Sequence, residues 1–379
     1  MPHYKNTSAA ALPATRLLAV LVAMLCAAGG AAAQDNDSIF SVSGFGTVGA
    51  AHSSQTKGDY VADQFQTKGT GYSDSWSAST DSKLAAQLDG KFGHGLSMVV
   101  QVVAAPRTNG RFSPRIEWAN LKYDVTPDLS VRAGRIALPT YMSSETRLVG
   151  YTNFMIRPPV ETYSQFNITN SDGIDASYRY TAGPTTNRLQ AWLGKTEVDA
   201  IGTNGRVIRG IKATRIEGVA NTVEYGALSV RASAMQSKVE LMAAPGYMLR
   251  PLSTIFSLGA TYDPGQWFVQ GEVSRSKLGT IIRSQLASYV TAGYRLNSLT
   301  PYVGFSHVQP DDDLVKLSLR KQSTASAGLR WDFRKNMDLK VQLDRVSLSK
   351  GSDGFFTNAK PGLAGGSATV ASFAVDFIF

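Results

Sequence analysis

Cysteine is almost absent from this chain: the only one, Cys26, falls in an N-terminal stretch that reads as removable. The part that folds therefore has neither a disulfide framework nor a thiol nucleophile. Histidine is scarce as well. Past that stretch there are His52, His94 and His307, expected at an outer loop edge, a turn and a strand end, and none has a serine or acid partner at catalytic spacing. No His or Cys cluster suits zinc, and no cofactor is implied. Long hydrophobic runs are missing after Gln34, so nothing approaches the roughly 20 apolar residues that a membrane-crossing helix needs. Helical periodicity is also nearly absent. A membrane protein with these deficits has to cross as a closed barrel, where strands satisfy one another's backbone groups.

The removable stretch is residues 1–33. Lys5 and Arg16 supply a positive start, Leu17 to Cys26 an apolar run, and Ala31-Ala32-Ala33 small residues for cleavage before Gln34, the pattern of a secretory signal. Taking 33 from 379 leaves 346 residues, 34–379, enough for one large barrel and no second domain. Without Lys5 and Arg16, 36 of the 38 basic residues face 29 acidic ones, a net of +7. These charges are spread along the chain rather than gathered in a stripe, which argues against nucleic acid. A charged lumen and anionic outer-leaflet lipid account for them.

What the chain has in quantity is alternation of period 2, in segments of about ten to fourteen residues separated by turns. In Ser257 to Asp263, Leu258, Ala260 and Tyr262 share one face; Pro264-Gly265 turns the chain, and Trp267, Val269, Gly271 and Val273 resume the pattern. Ala325 to Arg334 decides which face meets lipid. Ala327, Leu329, Trp331 and Phe333 lie opposite Ser326, Arg330, Asp332 and Arg334. An arginine facing lipid at mid-bilayer costs about 2 to 4 kcal/mol, so the polar side must line water.

This pattern predicts an all-β fold, a transmembrane antiparallel barrel of sixteen strands. They start near Ile39, Ser75, Leu96, Phe112, Leu129, Gly173, Arg188, Ile211, Ala227, Ser253, Gln266, Ser284, Pro301, Gln322, Met337 and Ser367. Longer connections follow the odd strands, around 51–74, 106–111, 139–172, 199–210, 242–252, 278–283, 310–321 and 350–366. Tight turns such as Thr126-Pro127-Asp128 and Arg334-Lys335-Asn336 follow the even ones. An even count puts both termini on the periplasmic side, where the turns belong. The final strand sets Thr369, Ala371, Phe373, Val375, Phe377 and Phe379 on one face. An aromatic strand with Phe373, Phe377 and Phe379 resembles the signal read by the bacterial barrel-insertion machinery.

Three other motifs carry less. Gly44-Phe45-Gly46-Thr47-Val48-Gly49 matches a dinucleotide fingerprint in letters, but no helix follows to receive a pyrophosphate, and glycines packed closely in a first strand explain it better. Asp311-Asp312-Asp313 reads as a solvated charge run before it reads as a divalent-ion site. Arg157-Pro158-Pro159-Val160 fixes φ at both prolines and stiffens its loop.

The chain resembles the general Gram-negative porins, sixteen-stranded trimeric diffusion channels. The resemblance spans the expected barrel as architecture and rests in sequence on Ser82-Lys83-Leu84, Arg115 to Tyr123, Ala133-Gly134-Arg135, Ser177-Tyr178-Arg179 and the terminal strand. It implies passive diffusion of small polar solutes, a homotrimer in outer-membrane lipid and lipopolysaccharide, and a third outer loop folded inward as a constriction. Here that loop is 139–172, the longest connection, and its Tyr141, Tyr151, Phe154, Tyr163 and Phe166 are too costly to leave in water. By motif, Lys83, Arg115 and Arg179 take the place of the family's basic wall cluster, with Glu145 and Glu161 across from them. Parity turns Lys83 and Arg179 inward. For Arg115, Ile116 and Trp118 conflict with Ala119, Leu121 and Tyr123, so a bulge or a position at the rim has to absorb the difference. Arg147 and Arg157 offset both glutamates, which favours a weak anion preference. Two rivals remain: a channel selective for a sugar or an aromatic or organic acid, and a barrel enzyme or adhesin.

Overall fold

A computed structural model describes residues 38–379 other than 203, 245, 280–281 and 312–319. The expected signal segment, Cys26, Asp312 and Asp313 lie outside the described residues. Sixteen long strands form one sheet: β1 (Phe40–Ser53), β2 (Lys83–Gly93), β3 (Leu96–Pro106), β4 (Phe112–Asp124), β5 (Leu129–Ala137), β6 (Asn170–Ala182), β7 (Thr185–Ile201), β8 (Val207–Tyr225), β9 (Leu228–Ala244), β10 (Leu252–Tyr262), β11 (Trp267–Leu278), β12 (Ile282–Tyr294), β13 (Leu299–Pro310), β14 (Gln322–Arg334), β15 (Met337–Leu348) and β16 (Ser367–Ile378). Each pairs antiparallel with its sequence neighbours. The sheet then closes on itself through β1 and β16, from Phe45↔Ile378 to Ser53↔Val370. Sixteen strands leave a lumen wide enough for water.

The alternation resolves as expected. On β14, Leu329, Trp331 and Phe333 are exposed on the outside, while Ser326 and Arg330 are buried inside. On β10, Phe256 and Leu258 face out and Ser257 faces in. Tyr123, Tyr178, Tyr225, Tyr262, Trp267 and Tyr294 are exposed beside the tight turns, an aromatic girdle where hydrocarbon gives way to headgroups.

Most strands begin within four residues of the expected positions, and two features needed structure. β2 begins at Lys83 rather than near Ser75, because Trp76–Ser77 pairs only briefly with β1 before the chain turns at Ser79 to Asp81. Ser82 patches the interruption by accepting a hydrogen bond from the Gly49 amide at 3.0 Å. In β4 the register with β3 slips between Trp118 and Ile116, so Glu117 is a bulge residue, which resolves the conflict around Arg115.

The closing seam explains the glycine motif. Gly44 and Gly46 lie on the outer face of β1, where the rings of Phe379 and Phe377 cover them. A Cβ on Gly46 would stand 2.3 Å from the Phe377 ring, and one on Gly44 equally near Phe379. An aromatic ring folded over a strand glycine restores contact area that the missing side chain forfeits.

Candidate functional site

Between β5 and β6 the chain turns into the lumen instead of out to solvent, and its side chains dock on the inner wall nearly all the way round. At its start the Arg231 guanidinium and the Ser233 hydroxyl donate to the carbonyls of Pro139 and Thr140, at 2.7 and 2.6 Å. Tyr141 is 1% exposed and packs at 5.2 Å from Tyr163, which in turn faces Tyr289 of β12. The Met142 amide and the Tyr163 hydroxyl both donate to Glu272 of β11, at 2.9 and 3.1 Å. Leu148 and Val149 cross to Phe45, Ala85 and Val103. Phe154 stacks on Phe268 with centroids 3.6 Å apart, Tyr151 lies under the Arg330 guanidinium, and Phe166 packs against the cluster around Tyr141. The five loop aromatics therefore lie against the barrel wall.

Charge holds the middle of the loop. Arg157 is 4% exposed; it donates to both oxygens of Asp81 at 2.7 Å, to Asp344 at 3.0 Å and to Ser372 at 2.6 Å, and its guanidinium lies over the Tyr60 ring. Burial works against this charge, but the facing Asp81 and Asp344 carboxylates more than reverse that and hold its pKa well above the ordinary value. Lys340, fully buried, bridges Asp376 at 2.9 Å and the Gly150 carbonyl at 2.7 Å. Only glycine fits at position 150, since a Cβ there would come within 1.9 Å of Asp376. Arg330 donates to the carbonyls of Tyr151 and Asn153.

The expected site residues separate. Glu145 comes against the wall, but its partners are Arg132 of β5 at 3.3 Å and Arg188 of β7 at 3.7 Å. Arg132 is itself held by Asp175 of β6 at 2.5 Å. Lys83 shares the inward face with Asp81 and Ala85, and the charges around it are those of Asp376, Asp81, Lys340 and Asp63. Arg115 lies opposite inward-facing Val103 near the loop end of β4, where it lines an open hollow of about 490 Å³ with Arg135, Glu197 and Asp199. Arg179 sits at the other mouth, its amide bonded to the Asp128 carbonyl in the turn before β5. Glu161, expected to face the basic row, is 1% exposed behind the loop, where Ser306, Gln322 and Thr324 donate to it. Nor does Arg157 offset it, being committed to Asp81 and Asp344.

Sequence reasoning passed over Arg132, Arg188 and Arg231. All three stand at inward parity between outward-facing or small neighbours, so the signal was present in the alternation itself. Of the histidines, His52 lies tilted against Trp76 on the outside, with ring centroids 5.0 Å apart, His94 occupies a turn at φ +50°, and His307 bonds Ser323. Among the described residues no group of three or more His, Cys, Asp or Glu is arranged to hold a metal ion.

The chain belongs to the Gram-negative porins, whose family model matches residues 18–351. It is an outer-membrane diffusion channel, integral to that membrane through its barrel. Among solved structures it is similar to the anion-selective porin from Comamonas acidovorans, with TM-score 0.60 and 15% identity over 90% of this chain and 99% of that one. A Salmonella typhi OmpF in complex with daunomycin aligns with TM-score 0.57 and 14% identity over 90% and 97%. A trimer form of OmpT, an outer membrane protein of Vibrio cholerae, gives 0.57 and 13% over 90% and 100%. At these identities the likeness concerns the fold. No curated protein matches the sequence.

Proposed function

We propose that the infolded loop narrows the lumen to an eyelet, with Glu145 on the loop side and Arg132 and Arg188 on the wall, and that small hydrophilic solutes diffuse through it with a weak preference for anions. The observation that carries this reading is the placement of Glu145 within 3.3 Å of Arg132 and 3.7 Å of Arg188. At these distances the carboxylate and the two guanidiniums form one contact cluster on the rim of the opening, and its field orients dipolar solutes that pass beside it and disfavours apolar ones. Lys83 adds a positive charge on the same inner wall, while Arg115 and Arg179 act at the two mouths rather than at the narrowing. Glu161 serves as a buried anchor of the loop.

The rest of the reading follows the family. The protein works as a homotrimer surrounded by outer-membrane lipid and lipopolysaccharide, as expected for a barrel of this kind, and without catalysis. Residues 1–33 act as the export signal. Phe373, Phe377 and Phe379 present the strand recognised during insertion.

The test is the reversal potential of purified protein in a planar bilayer under a KCl gradient. Wild type should reverse slightly on the anion side. Glu145→Gln should shift it further that way and Arg188→Gln toward cations; if neither substitution moves it, the eyelet lies elsewhere.

A further inference from the structure

Arg179 and Arg188 are directly opposite one another in the β6–β7 ladder. Both turn inward, since Tyr178 and Leu189 beside them are exposed on the outer face. Like charges directly across a sheet repel and weaken it, so an unrelieved arginine pair calls for an account. Arg179 has no ion-pair partner among the described residues. Arg188 reaches Glu145 only at 3.7 Å, from above. Of the acids that line the same hollow, Asp124 pairs with Lys122 at 2.8 Å, and Asp128 and Glu224 form no ion pair with either arginine.

The surroundings are open and rich in hydroxyls. Ser130, Ser177, Thr186 and Thr222 line the same hollow of about 380 Å³ at the periplasmic mouth. The Ser177 hydroxyl oxygen already accepts from the Arg188 Nε at 3.0 Å, and that of Thr222 from Arg231 at 2.9 Å. A hydroxyl whose oxygen is occupied as acceptor has its proton left to donate. Two forked guanidiniums with outward-donating hydroxyls match the oxygens of a phosphate or carboxylate.

We propose that Arg179 and Arg188, with Ser177 and Thr222, form a binding station for small oxyanions on the periplasmic side of the loop. It rests on the conducting lumen described above and names the class of solute that pauses there. An anion released from the narrowing is held between the two guanidiniums before it leaves.

The experiment uses purified full-length protein in planar bilayers in KCl, with inorganic phosphate added to each compartment in turn and succinate in a parallel series. Phosphate should lower the chloride current saturably, and more strongly from the periplasmic side. Removing one charge-assisted contact should raise the half-blocking concentration about tenfold in Arg179→Gln and in Arg188→Gln, each checked for intact strand content by circular dichroism. Block by succinate as well assigns the site to oxyanions in general, and block by phosphate alone to tetrahedral dianions. No phosphate block, or block unchanged in both variants, overturns the station. If block follows Arg179 and Arg188 while Glu145→Gln leaves the reversal potential unmoved, the eyelet reading fails and the station stands.

Discussion

Single side chains do unequal work in this lumen, and Arg157 does the most to keep the loop inside. It meets two buried carboxylates at once, so removing it strands Asp81 and Asp344 without their counter-charge. Leaving a buried partner unpaired costs about 3 to 5 kcal/mol. Arg157→Met is expected to lower the unfolding free energy from urea titration by that much, seen as an earlier midpoint, and to make single-channel currents noisy as the loop loosens. Arg157→Lys should rescue only part, since an ammonium cannot repeat the two parallel bonds to Asp81. A midpoint unchanged in Arg157→Met would show that the aromatic contacts alone hold the loop.

Among the elements, the β1–β16 seam is where closure is won or lost. The Phe377 ring covers Gly46, so Gly46→Val would push a side chain into the ring. Overpacking of this kind typically costs about 1 to 3 kcal/mol. The expected outcome is a lower yield of folded, heat-modifiable barrel for Gly46→Val and recovery in the double variant Gly46→Val/Phe377→Ala, read from gel mobility of unheated samples. The strands themselves were legible in advance because a misregistered arginine is so costly in lipid that each segment declares its faces. Ser75 to Ser82 had no such declaration, being small and polar on both sides, and the start of β2 was accordingly misplaced. Parity says which face a residue takes but nothing about its height along the barrel. Lys83 and Arg179 were thus turned the right way, yet Arg179 lies at the mouth. The loop has no period at all, so the burial of Glu161 and the partners of Arg157 were out of reach of the sequence.

For the whole molecule, one cylinder is asked to be greasy outside, wet inside and narrower than its own wall allows. The outer aromatics and aliphatics satisfy the first demand, and the inward Ser, Gln and charged residues the second. The loop from Leu138 to Thr169 meets the third by occupying part of the lumen rather than by shrinking the barrel. The most direct check is the swelling of proteoliposomes in neutral sugars of increasing size. The account predicts rapid entry of monosaccharides, slower entry of disaccharides and little of anything larger, without saturation by any one sugar. Equal entry of large and small sugars, or none at all, would contradict a water-filled pore narrowed by its own loop.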